Sequence, residues 1–392
     1  MTIRVGVVGV GARSALALEA ERASVDAQIV AVCDPHELVA DRVRSRLKKD
    51  PAALVVKRDL EGLIGAGVDV AFVLSPDDTH AEVAMTLLRA GIPVYLEKPM
   101  AITLDSATAI LETAYQTKTK LYVGHNMRHM HVVTQMRDLI GEGRIGEVKA
   151  IWCRHFVGTG GDFYFKDWHA TREHGTGLLL QKAAHDIDVI HWLAGSTTRD
   201  VVAMGDLMVY GQVADRADHS AELMPDWFSN DNWPPLSQRG LNEVIDVEDI
   251  SMMLMRMKSG VLASYEQCHF TPDYWRNYTV IGTEGRIENF GDGEGGHIKL
   301  WNRRHYYDAD GDETFEIVGD AHGHDEADTK IVDEFLRFVS AGSETATNPL
   351  GAWAAVAAGI LATESLRDGS TPRVVPELDP ALVAYFEGNQ RG

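Results

Sequence analysis

Lys98, Lys182 and His185 are the side chains here with the chemistry to move a proton. Lys98 follows the apolar run at residues 92–96 and precedes Pro99, which predicts a lysine at a strand end, facing a crevice. Taking a hydride from a secondary alcohol needs a base for the hydroxyl proton, or a cation for the developing alkoxide. A lysine does either once desolvation or a nearby charge brings its pKa toward neutrality. As a loop residue it is simply a solvated surface cation. Lys182 and His185 are three apart in a helical stretch at residues 178–193, so they share a face. With Ile187, Ile190 and Leu193 packing inward, His185 taken alone reads more readily as a satisfied core residue than as a catalyst.

A second set of residues has the spacing of a nucleotide site. Arg4-Val5-Gly6-Val7-Val8-Gly9-Val10-Gly11-Ala12-Arg13-Ser14 is a β-branched run feeding a glycine turn, and a second apolar run ends at Cys33-Asp34-Pro35. Gly9 allows the tight turn, Gly11 lets backbone approach a pyrophosphate, and a helix from Ala12 aims its unpaired N–H groups at phosphate charge. Asp34 sits where a carboxylate accepts both ribose hydroxyls, which favours NAD over a 2′-phosphorylated cofactor. Ser14 occupies the third glycine position, so the fingerprint is incomplete.

Aromatic and cationic side chains concentrate between Trp152 and His174, including His155, Tyr164, Trp168, His169 and Arg172. Aromatic faces stack on sugar C–H faces, and Arg or His donates to hydroxyls or an anionic substituent. The same residues also fit a sheet core with a cationic rim. Sixteen histidines suggest metal, yet neither residues 322–325 nor 125–131 place three ligands on one helix face, and no metal is expected.

These residues need elements to hold them. The first third alternates strand and helix: a strand ends at Ser75-Pro76, a helix runs over residues 80–90, and further strands reach Glu97-Lys98 and His125-Asn126. That succession predicts a doubly wound parallel sheet with its ligand beyond the strand C-termini. From about Val148 alternating strands follow with few helices between them, which predicts a mostly antiparallel sheet. The polar stretch 206–243, with Trp227 and Trp233, is expected to be an ordered lid. The expected domains are residues 1–124 and 125–392.

The chain has 392 residues and a formal charge of −21, which disfavours nucleic acid and anionic lipid as partners. Three scattered cysteines suggest neither disulfides nor zinc, so the expected location is a reducing cytoplasm. With a strand beginning by Ile3 no signal peptide is expected, and no apolar run looks long enough to span a membrane.

Taken in order, Gly6 to Gly11, Cys33-Asp34-Pro35, Ser75-Pro76-Asp77-Asp78-Thr79-His80, Glu97-Lys98-Pro99, Gly124-His125-Asn126-Met127-Arg128, His185-Asp186-Ile187-Asp188 and Gly282-Thr283-Glu284-Gly285 resemble the Gfo/Idh/MocA oxidoreductases. The resemblance implies an α/β chain: an N-terminal Rossmann domain and a C-terminal α/β domain with an open, mainly antiparallel sheet. It implies NAD held by Gly9, Gly11, Ala12, Arg13, Ser14, Asp34, Ser75, Pro76, His80, Glu97, Lys98 and Asn126. It also implies a carbohydrate substrate met by Arg128, Trp168, His169, Arg172, Lys182 and His185, with catalysis by Lys98, His185 and Lys182. Members commonly act on a ring carbon of a sugar or cyclitol, and many form dimers or tetramers through the sheet's outer face. Two positions depart: Gln181 stands where many dehydrogenase members carry aspartate, and Asp77 where asparagine is usual. The expected function is hydride transfer between NAD and a ring carbon of a sugar, sugar acid or cyclitol. The alternative is an NAD-dependent glycoside hydrolase that oxidises the sugar transiently, eliminates the aglycone, adds water and returns the hydride.

Overall fold

The computed structural model describes residues 1–321 and 325–391, which form two compact units. The first comprises Met1–Asn126, Asp328–Val356 and Glu377–Gly392, and the second Met127–Ala327 and Ala357–Pro376. A single division near residue 124 therefore does not describe the chain, which returns to its first unit twice. The physical reason lies in the helix Asp325–Ala341. Its Ile331, Val332, Phe335, Leu336 and Phe338 are buried with Val5, Val7, Phe72, Tyr95 and Tyr122 in one core. Phe335 stands edge-on to Phe72, with ring centroids 5.4 Å apart.

In the first unit the strands β1 (Ile3–Val8), β2 (Ala27–Cys33), β3 (Val55–Lys57), β4 (Val70–Val73), β5 (Val94–Leu96) and β6 (Leu121–Val123) form a parallel sheet. Its order is β3-β2-β1-β4-β5-β6. The central runs bury both faces, as near-continuous apolar strands in parallel sheets must. Side chains set several boundaries: Thr103 caps Leu104–Thr117 by accepting the Ser106 N–H, and Asp59 caps Leu60–Gly65 through Gly62.

The second unit is built on β7 (Val148–Val157), β8 (Thr198–Asp206), β9 (Ile250–Met257), β10 (Leu262–Cys268), β11 (Tyr274–Gly282), β12 (Arg286–Phe290), β13 (His297–Trp301), β14 (Glu313–Glu316) and β15 (Arg373–Val374). The order is β14-β13-β12-β11-β7-β10-β9-β8-β15, and every pairing is antiparallel except β7 with β10. Burial alternates along β9: Ser251, Met253, Met255 and Met257 face inward, Met252, Leu254 and Arg256 outward. The stretch expected as one helix is two, Leu178–Gln181 and Ala183–Ala194, with Lys182 at the junction and left-handed Gly195 closing the second. Residues 206–243 carry only short helical turns but are anchored: Asp162 accepts from Asn232 at 2.7 Å and Gln238 at 3.1 Å, and its carbonyl from Trp227 at 2.8 Å.

The helix Pro349–Arg367 corrects another expectation. Its mean hydropathy of 1.3 and its 19 residues are enough to cross a membrane, but 78% of its apolar window is buried within the protein.

Candidate functional site

At the C-terminal ends of the parallel strands the backbone is shaped for a nucleotide. Gly9 has φ +88°, and a Cβ there would stand 2.7 Å from the Ser75 nitrogen, so the turn excludes any larger residue. Gly11 is the opposite case: a Cβ would meet nothing within 4 Å, leaving open space above the turn. The helix that follows, Ala12–Glu21, is wound as 3₁₀ rather than α, and Gly11 caps it without a side-chain acceptor. Ser14 turns its hydroxyl back to the Gly11 carbonyl at 2.7 Å, which fits a serine into the third glycine position. Asp34 is buried at the end of β2, accepting N–H groups from Val10 at 2.7 Å and His36 at 2.8 Å, with Arg42 3.9 Å away. Uncapped amides, open space over a glycine and a fixed carboxylate one strand away together suit a pyrophosphate and a ribose.

Several expected cofactor residues are engaged within the unit itself. Arg13 donates to Glu97 at 2.5 Å and to both oxygens of Asp328, at 2.5 and 2.7 Å. Asp328 also accepts from Asn126 at 2.7 Å, and Glu97 from the Lys98 N–H at 2.7 Å. Arg13, Glu97 and Asn126 therefore hold the strand ends together, and a direct contact of Arg13 with cofactor phosphate is not what this geometry favours. His80 is a similar staple: one ring nitrogen faces the Pro99 carbonyl at 2.7 Å and the other that of Ser75 at 2.9 Å. The Ser75 hydroxyl meets Thr79 at 2.6 Å, and Pro76 is exposed. Lys98 is half-buried, and the peptide bond to Pro99 is cis.

The second unit gathers its polar residues around the start of the helix Ala183–Ala194. Lys182 is buried, and its ammonium donates to the Tyr274 hydroxyl at 2.7 Å, with the Tyr164 ring centroid 5.6 Å away. Among the described residues no carboxylate pairs with it. Burial alone would lower its pKa, but the Tyr164 and Tyr274 hydroxyls outweigh that and raise it. His185 and Gln181 are buried on the same stretch. His269 is fully buried against Tyr164, and neither ring nitrogen has a hydrogen-bond partner among the described residues. Burial, His155 and Lys182 push its pKa well down, so it stays neutral.

Behind this face lies a hub centred on Asp186. Its carboxylate accepts from His155 Nδ1 at 2.9 Å, Tyr278 at 2.5 Å and Tyr265 at 3.2 Å, and Arg276 Nε lies 3.1 Å away. Burial would raise the Asp186 pKa; His155 and Arg276 outweigh it and hold the carboxyl well below its usual range. Burial, then Arg276, lowers His155 to about 3, so its imidazole is neutral. Sequence reasoning missed this hub because its partners lie on three strands. The available signal was a polar residue at an inward position: His155 between Cys153 and Val157, Tyr265 between Ala263 and Gln267.

The expected substrate residues divide. Trp168 stacks on His169 with centroids 3.6 Å apart, and His169 stands edge-on to Tyr164 at 5.6 Å, which connects both to the Lys182 cluster. Arg172 instead donates to the Asp246 carbonyl at 2.6 Å and to Glu248 at 3.1 Å, anchoring the inserted stretch. Arg128 is buried in a two-point pair with Asp188, at 2.7 and 2.6 Å, over the Trp192 ring. Both guanidiniums are thus held by protein groups, a positioning role rather than the expected donation to substrate. His131, Asp320 and Glu326 bring ligand atoms within 4.8 Å of one another, but Glu326 is exposed and the group carries no further sign of a metal. The other histidines considered above as metal ligands, His322 and His324, lie outside the described residues.

Residues 3–125 match the family described as "Oxidoreductase family, NAD-binding Rossmann fold", and residues 133–288 match "GFO/IDH/MocA C-terminal domain". An inositol 2-dehydrogenase of Rhizobium meliloti (strain 1021) is 27% identical over 222 residues, 56% of this chain and 64% of that protein. A 1-carboxy-3-chloro-3,4-dihydroxycyclohexa-1,5-diene dehydrogenase of Comamonas testosteroni is 32% identical over 203 residues, 51% of this chain and 49% of the other. The chain thus spans between 49% and 64% of the length of these relatives. A levoglucosan dehydrogenase solved with NADH and levoglucosan superimposes with a TM-score of 0.75 at 19% identity, covering 96% of this chain and 100% of that one, a likeness of fold.

Proposed function

The chain belongs to the Gfo/Idh/MocA oxidoreductases with an NAD-binding Rossmann domain, and from that premise we propose that it oxidises or reduces a ring carbon of a sugar, sugar acid or cyclitol. The observation that carries this reading is a buried ammonium, Lys182, held by a hydroxyl instead of a carboxylate three residues before His185. Such a group suits an alkoxide or a hydroxyl-rich ring. Bound NAD supplies the redox chemistry, accepting or returning a hydride at its nicotinamide. The chain's own residues do the remainder. Asp34 receives the ribose hydroxyls and the Gly11–Ser14 turn the pyrophosphate. We assign the hydroxyl proton to Lys98 and His185, while Trp168 and His169 offer a stacked surface to the ring. The carbohydrate dehydrogenases among the relatives support this substrate class.

The test is a panel of sugars, sugar acids, cyclitols and aryl glycosides with purified protein, reading NADH absorbance and aglycone release together. NADH formed from a free polyol is the expected result. Aglycone released with no net NADH would replace it with the redox-neutral glycosidase, a reading that Gln181 favours because an amide cannot serve as acid or base.

We also propose self-association, as a homodimer or homotetramer, through the outer face of the nine-stranded sheet. Its support is a run of outward apolar side chains in register: Trp152, Leu254, Met252 and Met204 are all more than half exposed.

A further inference from the structure

Tyr274 opens β11 and is 45% exposed, yet its hydroxyl reaches inward to two cations. The Lys182 ammonium donates to the phenolic oxygen at 2.7 Å, and Arg276 Nη2 approaches the same oxygen at 3.4 Å. Ammonium and guanidinium groups are donors only. The oxygen must therefore accept from both, and its own proton points away from them. A phenol so placed loses that proton more easily than a free one, because the anion left behind faces two positive charges.

The surroundings agree. From β7 the His155 ring stands edge-on to Tyr274 at 5.6 Å, and from the short helix Gly160–Tyr164 the Tyr164 ring flanks Lys182 at 5.6 Å. Two carboxylates take up part of the Arg276 charge: Asp186, 3.1 Å from its Nε, and Asp292, which follows β12 and lies 3.4 Å from its Nη1. Burial of the hydroxyl raises the phenol's pKa, but Arg276 and then Lys182 more than offset it and bring it to about 8. Lys182 has no carboxylate partner among the described residues, so a phenolate is the anion that would balance its buried charge.

We infer that Tyr274 is a second proton-transfer residue of this enzyme, with Lys182 and Arg276 as the positioning residues that make its oxygen a base. This rests on the oxidoreductase reading above. In the direction of oxidation the Tyr274 phenolate takes the proton as the substrate O–H bond breaks. The C–O bond becomes C=O, and the hydrogen on that carbon leaves with its electron pair to bound NAD⁺. The phenol then gives its proton to water through its exposed side, which restores the phenolate.

Tyr274→Phe removes the oxygen and keeps the ring, and Lys182→Met removes the charge at similar length. The ultraviolet absorbance of tyrosinate, taken as native protein minus Tyr274→Phe, should show a phenol ionising near pH 8 without any substrate, and Lys182→Met should move it upward. On a substrate the native protein oxidises, Tyr274→Phe should lower kcat about 10²–10⁴-fold with NAD affinity unchanged. It should also erase a break near pH 8 in the kcat profile, a break that moves upward in Lys182→Met. Native turnover with an unaltered rate and profile in Tyr274→Phe overturns Tyr274 and leaves the proposed function standing. A phenol that ionises only in its ordinary range overturns it equally. No turnover of any carbohydrate by the native protein overturns the proposed function and takes this assignment with it.

Discussion

A single carboxylate at the end of β2 is the residue we propose to govern the choice of cofactor. Asp34 is fixed by the Val10 and His36 amides, so it cannot swing aside to admit a 2′-phosphate. Arg13, the nearby cation, is held by Glu97 and Asp328 instead of being free to meet such a phosphate. NAD should therefore bind more tightly than NADP by roughly 5- to 150-fold, the size of a coupling of about 1–3 kcal/mol. Asp34→Ser should narrow that gap. Titration of both cofactors measures it, and tighter NADP binding by the native protein would reverse the assignment. At the same scale, Lys98→Ala and His185→Ala should each lower kcat by about 10²–10⁴ while NAD still binds. Near-native turnover in His185→Ala at neutral pH would return that histidine to the core.

At the scale of elements, β7, β10 and β11 bring His155, Tyr265, Arg276 and Tyr278 to Asp186, and this makes the second unit sensitive to acid. The unfolded chain protonates His155 near 6.5, the folded one only near 3. Between those values the unfolded state binds more protons, so stability falls as pH falls, by about 1.4 kcal/mol per pH unit. Asp186 acts in the same direction lower down: its pKa is depressed by folding, so its contribution is present above the ordinary carboxylate range and lost below it. Urea midpoints followed by tryptophan fluorescence report this unit, since every tryptophan but Trp353 lies in it. His155→Gln should flatten the slope between pH 3 and 6.5, and an unchanged slope would free His155 from blame. The same elements mark how far sequence could be read. Gly9, Gly11 and Asp34 were legible because a βαβ unit writes its site into one short stretch. The break at Lys182 and the hub at Asp186 were not, because helical periodicity runs on through the break and the hub's register is set by strand pairings across the unit. Arg13 with Asp328, 315 residues apart, left no local trace at all.

The outer face of the nine-stranded sheet carries a prediction for the whole molecule. Leu254 is 61% exposed at the middle of an apolar row, cross-strand from Val202 and Ser264. A charge there should oppose any association through that face while sparing the inward core of β9. Leu254→Glu should shift the mass measured by light scattering to that of one chain. A native protein that already runs as one chain, or a variant that stays associated, would remove this face from consideration.

The first unit draws on three separated stretches of sequence, with Phe335 and its neighbours filling the core around Phe72, Tyr95 and Tyr122. On the ribosome that order has a cost in time. Residues 1–126 emerge early, but the helix that completes their core is made only after the long stretch that builds the second unit. At roughly 5–20 residues per second the nascent parallel sheet waits on the order of tens of seconds with its apolar face uncovered. The second unit's sheet can begin to pair during that delay. The nucleotide-binding end, although translated before the second unit, is then the part that reaches its finished state after it.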